Sequence, residues 1–174
     1  MEKVFPVRSE ILNDSFSNYE NFFPIATIDL SKKGIREKIH ILYASFDPAI
    51  NDSICFANGD KKDNFSFDIE ENGKLKPTFN NKALIIGNDF EIYFLKAKEK
   101  YEKARANPSI LKYLLDFSSK PQWWQSDETP INSKGVKYKF ICQVEIDDLC
   151  DDDCKMFVFH DKFDNKLRII YQRD

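Results

Sequence analysis

From Tyr138 to Ile146 the chain alternates apolar Tyr138, Phe140, Cys142, Val144 and Ile146 with Lys139, Gln143 and Glu145. A period of two places the first set on one face of a pleated strand and the second on the other, so this run belongs to a sheet with one buried face. Just before it lies the decapeptide Pro121 to Pro130, which carries Trp123 and Trp124 side by side. Each indole brings a large apolar area and one N–H that wants a partner. The two prolines fix their own φ and bias Lys120 and Thr129 toward extended conformations, so the decapeptide reads as an ordered, non-helical crossing into a sheet. Gln122, Gln125, Ser126 and Thr129 can satisfy the backbone groups that such a crossing leaves without ladder partners. Two readings follow. One is a hydrophobic plug with polar stitching, and the other is a ligand or partner pocket formed by Trp123, Trp124 and Gln125. Large aromatics are usually buried for stability, which favours the plug.

The rest of the chain supplies more strands than helices. Phe22 to Ile28 is rich in β-formers, and Pro24 confines it to an edge or a strand start. Lys32-Lys33-Gly34 reads as a turn. Lys38 to Phe46 has apolar groups on both faces, the pattern of a central strand. Ile54 to Phe56 and Phe65 to Ile69 read as a pair of strands, with turns at Asn58-Gly59 and Asn72-Gly73. Ala83 to Ile86 reads as a further short strand. The region from Glu10 to Tyr19 offers only a weak helix. The clear helix begins at Asn88, where Asn88 and Glu91 have the form of a capping box. Phe90, Tyr93, Phe94, Ala97, Tyr101 and Ala104 then line one face. Asn107-Pro108 stops it and opens a shorter helix, Ser109 to Phe117. Met156 to His160 and Leu167 to Gln172 complete a C-terminal meander. Neither repeat nor linker interrupts the 174 residues, so the expectation is one α+β domain over 1–174, mainly antiparallel sheet with one long and one short helix packed on it.

Composition narrows the function classes. A chain with 16 Phe and only 5 Gly points to an aromatic, β-containing core large enough to need no disulfide staples. With 26 basic against 29 acidic residues, phosphate neutralisation is a poor source of affinity, which argues against nucleic acid as a partner. No apolar run reaches the ~20 residues of a membrane span, and the first residues lack a secretory h-region, so a cytoplasmic location is the expectation. The charges are uneven. Lys96, Lys98, Lys100, Lys103 and Arg105 crowd one segment, and Glu145, Asp147, Asp148, Asp151, Asp152 and Asp153 crowd another.

The C-terminal third also carries a resemblance. Trp124-Gln125, Asp127, Thr129-Pro130, Gly135, Phe140-Ile-Cys-Gln143, the acidic turn and Phe157-Val-Phe159 resemble the YwqG-like family of bacterial proteins over about residues 110 to 172. Where that family often has Gly-Gly before the proline, this chain has Ser118-Ser119-Lys120, and its first hundred residues add nothing to the likeness. The resemblance implies an α+β fold with an antiparallel sheet and no established enzymatic activity. Some relatives are immunity-like proteins encoded beside polymorphic toxins.

Three constellations compete. Cys142, Cys150, Cys154 and His160 have acceptable zinc-ligand types, but structural zinc sites generally use tighter Cys-x2-Cys hooks, so buried free thiols are favoured. A cysteine nucleophile needs an electropositive setting, whereas Cys150 and Cys154 stand among aspartates. The carboxylates of Glu145, Asp147, Asp148, Asp151, Asp152 and Asp153, with Glu128 near in sequence, form an anionic surface suited to a basic partner; the bland alternative is a solvated loop. The expectation is an immunity-type binding protein that neutralises a cognate toxin by covering its active surface, with no catalytic residues, metal or cofactor. The alternatives are a small-ligand binder or enzyme with a pocket at Trp123, Trp124 and Gln125, and a zinc-stabilised module.

Overall fold

A computed structural model describes residues 1–31 and 38–173. The turn expected at Lys32-Lys33-Gly34 lies outside them. The described strands form two antiparallel sheets. The smaller has the order β1-β2-β3, from β1 (Lys3–Val4), β2 (Phe22–Asp29) and β3 (Lys38–Ala44). The larger has the order β5-β4-β9-β8-β7-β6, from β4 (Asn64–Ile69), β5 (Leu75–Pro77), β6 (Leu115–Asp116), β7 (Lys139–Glu145), β8 (Cys154–Asp161) and β9 (Lys166–Arg173). The helices are α1 (Arg8–Ile11), α2 (Asp52–Cys55), the long α3 (Asn88–Ala106), α4 (Leu111–Leu114) and α5 (Asp147–Cys150). The class is α+β, as the pattern of elements predicts.

Adjacent phenylalanines of β2 show how the parts stack. Phe22 meets Phe67 of β4 with ring centroids 6.3 Å apart, while Phe23 points the other way and meets Phe94 and Tyr101 of α3 at 6.1 and 5.1 Å. β2 is therefore covered by the large sheet on one face and by α3 on the other. Pro24 does not confine this strand to an edge, because β2 is the middle of its sheet. The missing N–H is tolerated because β1 pairs only with Ala26 and Thr27, and the β2–β3 register shifts between Pro24 and Ala26. β3 is the reverse case. It is buried on both faces as a central strand would be, yet it ends its ladder. At its end Tyr171 of β9 takes over, its hydroxyl accepting from Ala44 N–H at 2.9 Å and donating to Ala44 C=O at 3.1 Å.

The second face of the large sheet has its own small core. Phe157, Phe159 and Ile170 are buried there beneath Trp123, Tyr138 and Phe140. Trp123 stacks over Phe157 at 4.3 Å and over Phe159 at 5.8 Å, so this indole is a plug. The stitching comes mainly from the sheet. Buried Gln143 accepts from Gln122 N–H at 2.8 Å. Buried Gln172 accepts from Trp124 N–H at 2.9 Å and Gln125 N–H at 3.1 Å, and it donates to Ser126 C=O at 2.8 Å. Two amide side chains thus replace the ladder partners that an irregular strap lacks. The strand beneath is also less regular than its alternation suggests. A register shift between Phe140 and Cys142 leaves Tyr138 and Phe140 on the strap side and sends Cys142, Val144 and Ile146 into the main core.

Several local readings need correction. Ile54 to Phe56 is not a strand: Asn51 caps α2 by accepting from Ser53 N–H at 3.1 Å. Ala83 to Ile86 is not one either, because Asn80 caps a 3-10 turn over Asn81–Leu84 in the same way. The short helix expected over Ser109 to Phe117 is a 3-10 turn, Pro108–Ile110, then α4, then β6, where Leu115 pairs with Val144. The long helix starts one residue earlier than its apparent capping box, with Gly87 as N-cap. The Gly87 N–H donates to Asp47 at 2.8 Å, and a Cβ there would lie 2.8 Å from the same oxygen, so any side chain at this position would have to displace the carboxylate.

Replacing Gln172 with leucine strips two N–H donors and one carbonyl of their partners. We expect Gln172→Leu to lower the stability by ~3 kcal/mol, read from the urea midpoint, with a red shift of tryptophan emission as the strap loosens. An unchanged midpoint and spectrum would show that the strap holds by stacking alone.

Candidate functional site

The acidic bend between β7 and β8 is an anchored structure. Leu149 and Cys150 of α5 are buried, and α5 packs on α3. Asp151 then takes φ 55°, a left-handed turn that aspartate tolerates better than most residues, and the chain returns as β8. Most of the carboxylates are answered within the molecule. Lys100 of α3 reaches Asp147 and Asp151, both at 3.4 Å. Lys155 pairs with Glu145 at 2.8 Å and lies over the Trp124 ring at 4.8 Å, which links two residues that the sequence assigns to different sites. Asp152 turns inward and accepts from the Tyr43 hydroxyl at 2.7 Å, Arg173 Nη2 at 3.0 Å and the Cys154 thiol at 3.3 Å. Arg173 also pairs with Asp63. Asp148 and Asp153 remain exposed. Glu128 lies half-buried in the strap.

Beside this network opens a cleft of about 360 Å³, lined by residues from five segments of the chain. Phe90 and Tyr93 of α3 form one wall, their rings stacked at 6.2 Å. Tyr93 lies at the margin of the buried stripe, not within it, and is 59% exposed. Phe46 and Pro48 add apolar lining, Ser45 and Tyr43 are buried members of it, and Lys62, Asp63, Asp151, Asp152 and Arg173 supply the charge. Lys62 is itself held by Pro48 C=O at 3.1 Å and Asp52 at 3.8 Å. Of these lining residues, the sequence singles out Asp151 and Asp152 as partner-binding and Cys150 as a candidate zinc ligand, and it places Phe90, Tyr93 and Ala97 on the buried face of a helix. One signal was available for Arg173: it follows Leu167, Ile169 and Tyr171 on the buried face of β9, a charge where an apolar residue belongs.

The electrostatics favour neutral thiols. Burial, reinforced by the Asp152 carboxylate, pushes Cys150 and Cys154 well above the ordinary thiol range, and the same two causes push up the Tyr43 phenol. Burial works against the Arg173 cation, but Asp152 and Asp63 outweigh it and raise its pKa. A thiol shifted upward is a weak nucleophile at neutral pH. The sulfurs do not assemble a metal site: no group of three or more His, Cys, Asp or Glu side chains among the described residues is placed to hold an ion. All four cysteines are buried, and none is part of a disulfide.

No helix among the described residues is long and apolar enough to cross a membrane. No family model, curated protein or solved structure matches the chain.

The raised thiols give a pH dependence. Below about pH 8 the thiols are protonated in both folded and unfolded chains, so their contribution to stability is fully present. As pH rises further the unfolded chain loses these protons first, and stability falls by up to ~1.4 kcal/mol per pH unit for each thiol. We expect the urea midpoint to drop between pH 8 and pH 10, and to drop less in a Cys150→Ala/Cys154→Ala variant. Equal drops in the two proteins would place the alkaline sensitivity elsewhere.

Proposed function

We propose that the protein acts by binding, as an immunity-type protein that covers the working surface of a cognate, basic toxin. The observation that carries this reading is the placement of the acidic bend beside exposed Tyr93 and half-buried Phe90. Asp151 and Asp152 line the same cleft as Phe90 and Tyr93, and exposed Asp148 and Asp153 flank them on the bend. Protein interfaces are organised in this way, with an aromatic anchor region at the centre and polar or charged groups at the rim. The YwqG-like resemblance of the C-terminal third points in the same direction, since some of those relatives are immunity-like.

The carboxylates divide into two roles. Asp152 holds Tyr43, Arg173 and Cys154 in place, so replacing it tests the fold as much as the interface. Asp148 and Asp153 are exposed, and neither joins an ion pair among the described residues, which leaves their field directed outward. Rim charges of this kind act chiefly on association rate, by steering a partner of opposite sign.

The test is the double charge reversal Asp148→Lys/Asp153→Lys, measured against the cognate toxin that this reading requires. We expect the association rate to fall about tenfold at low salt and the difference to shrink as salt is added, with the melting temperature unchanged. Equal association rates for the two proteins at low salt would remove the bend from the mechanism.

A further inference from the structure

Two Asn-Gly pairs occur in the chain, Asn58-Gly59 and Asn72-Gly73, each in a turn with its asparagine exposed. Such a pair carries a reaction of its own. The side-chain amide carbon of asparagine lies within reach of the next backbone nitrogen, and glycine, lacking a Cβ, leaves that nitrogen open to approach. Ring closure forms a bond from the glycine nitrogen to Cγ, while the bond from Cγ to the side-chain nitrogen breaks. Ammonia departs with the proton that the glycine nitrogen gives up through solvent. The resulting succinimide then takes up one water at either carbonyl, giving aspartate or isoaspartate. Water is the only co-reactant.

The fold treats the two pairs differently. Open space does not separate them, since a Cβ at either glycine would meet nothing within 4 Å. Hydrogen bonding does. At the second pair Gly73 N–H donates to Glu70 C=O at 2.8 Å, and the Asn72 side-chain oxygen accepts from Lys74 N–H at 2.8 Å. Both reacting groups are held there, and each must let go of a partner before the ring can close. At the first pair Asp60 N–H donates to Ala57 C=O at 3.0 Å, closing a turn around Asn58 at φ 57° and Gly59 at φ 81°. That bond spans the pair and holds neither reacting group. No hydrogen bond among the described residues engages Gly59 N–H or the Asn58 side chain.

From this contrast we propose that Asn58 is a modification site of the folded protein, converted spontaneously to isoaspartate, while Asn72 is protected by the hydrogen bonds of its own turn. The position gives the change a structural consequence. Isoaspartate carries the backbone through Cγ and so adds one methylene to a turn with only two central residues. Asp60, which closes that turn, accepts from Arg168 at 2.6 Å and from the Thr78 hydroxyl at 3.2 Å, and its side chain is only 8% exposed. A lengthened turn displaces Asp60 and takes from Arg168 the carboxylate that it pairs with, and the loss of one partner from a mostly buried pair is strongly destabilising. Lys62 and Asp63, just beyond, line the cleft, so the altered turn borders the candidate site.

The test needs only the purified protein. It is incubated in warm neutral buffer, with and without urea, and mapped by mass spectrometry, with isoaspartate counted by enzymatic methylation. We expect Asn58 to convert roughly thirtyfold faster than Asn72 in the folded protein, the worth of two hydrogen bonds in the barrier, and the two to convert at about the same rate in the unfolded chain. The isoaspartyl product is expected to melt roughly 10 °C below the fresh protein. Asn58→Asp, which brings the charge without the extra methylene, is expected to keep the melting temperature of the fresh protein. Equal rates at the two asparagines in the folded protein, or a difference that persists in urea, overturns the proposal. So does an isoaspartyl product that melts with the fresh protein, or an equal loss in Asn58→Asp.

Discussion

Three consecutive side chains at the end of β9 tie together every layer of this molecule. Tyr171 points toward the small sheet and holds both the N–H and the C=O of Ala44 at the end of β3. Gln172 points to the opposite face and holds the strap through Trp124, Gln125 and Ser126. Arg173 returns to the first face and binds Asp63 and Asp152, which fixes the acidic bend and the rim of the cleft. The strict two-residue alternation of a strand makes this possible, because neighbours in sequence must serve opposite faces. A register slip of one residue in β9 would exchange Gln172 with its neighbours and present each polar group to the wrong layer. Its central place in the six-stranded sheet, between β4 and β8, guards against such a slip.

The aromatic excess has a matching role. Phe46, Phe56, Phe65, Phe67 and Phe79 meet largely edge to face, with Phe46 lying 5.0 Å from Phe65 and 5.3 Å from Phe79. Such pairs prefer particular ring orientations and so add a modest directional term to area burial. Phe46 belongs both to this cluster and to the cleft wall, so the rigidity of the core extends to the site. The helix wall is fixed in a comparable way, where the Gly87 N–H meets the Asp47 carboxylate just before the turn that carries Phe90 and Tyr93.

How much of this was legible beforehand follows from which interactions are local. The meander of β7, β8 and β9 is readable because alternation and turn residues are encoded within a few positions of each strand. The buried stripe of α3 is readable for the same reason, through Phe94, Ala97, Tyr101 and Ala104. Asn51 and Asn80 have the residue type of caps, but apolar runs follow each and imitate strands. The bulge near Ile141 was not readable: an extra residue leaves the apolar character of the run intact while reversing which face each residue serves. The cleft was least accessible of all. Its residues lie between positions 43 and 173, and only Phe90, Tyr93 and Ala97 share a spacing, one that reads simply as the buried stripe of a helix.

The same separation explains why a cluster of aspartates misleads when read as a surface. In sequence, Glu145 to Asp153 is a block of negative charge. In the fold, Lys100 arrives from α3, Lys155 from the neighbouring strand and Arg173 from β9, and each cancels part of it. The inward carboxylate of Asp152 becomes structural: it is the hydrogen-bond acceptor that keeps Tyr43, Cys154 and Arg173 oriented around the cleft. Because those groups are already ordered in the free protein, a partner docking there would spend little of its binding energy on arranging them. The paired carboxylates of the bend therefore maintain shape, and only Asp148 and Asp153 display their charge without an ion-pair partner among the described residues.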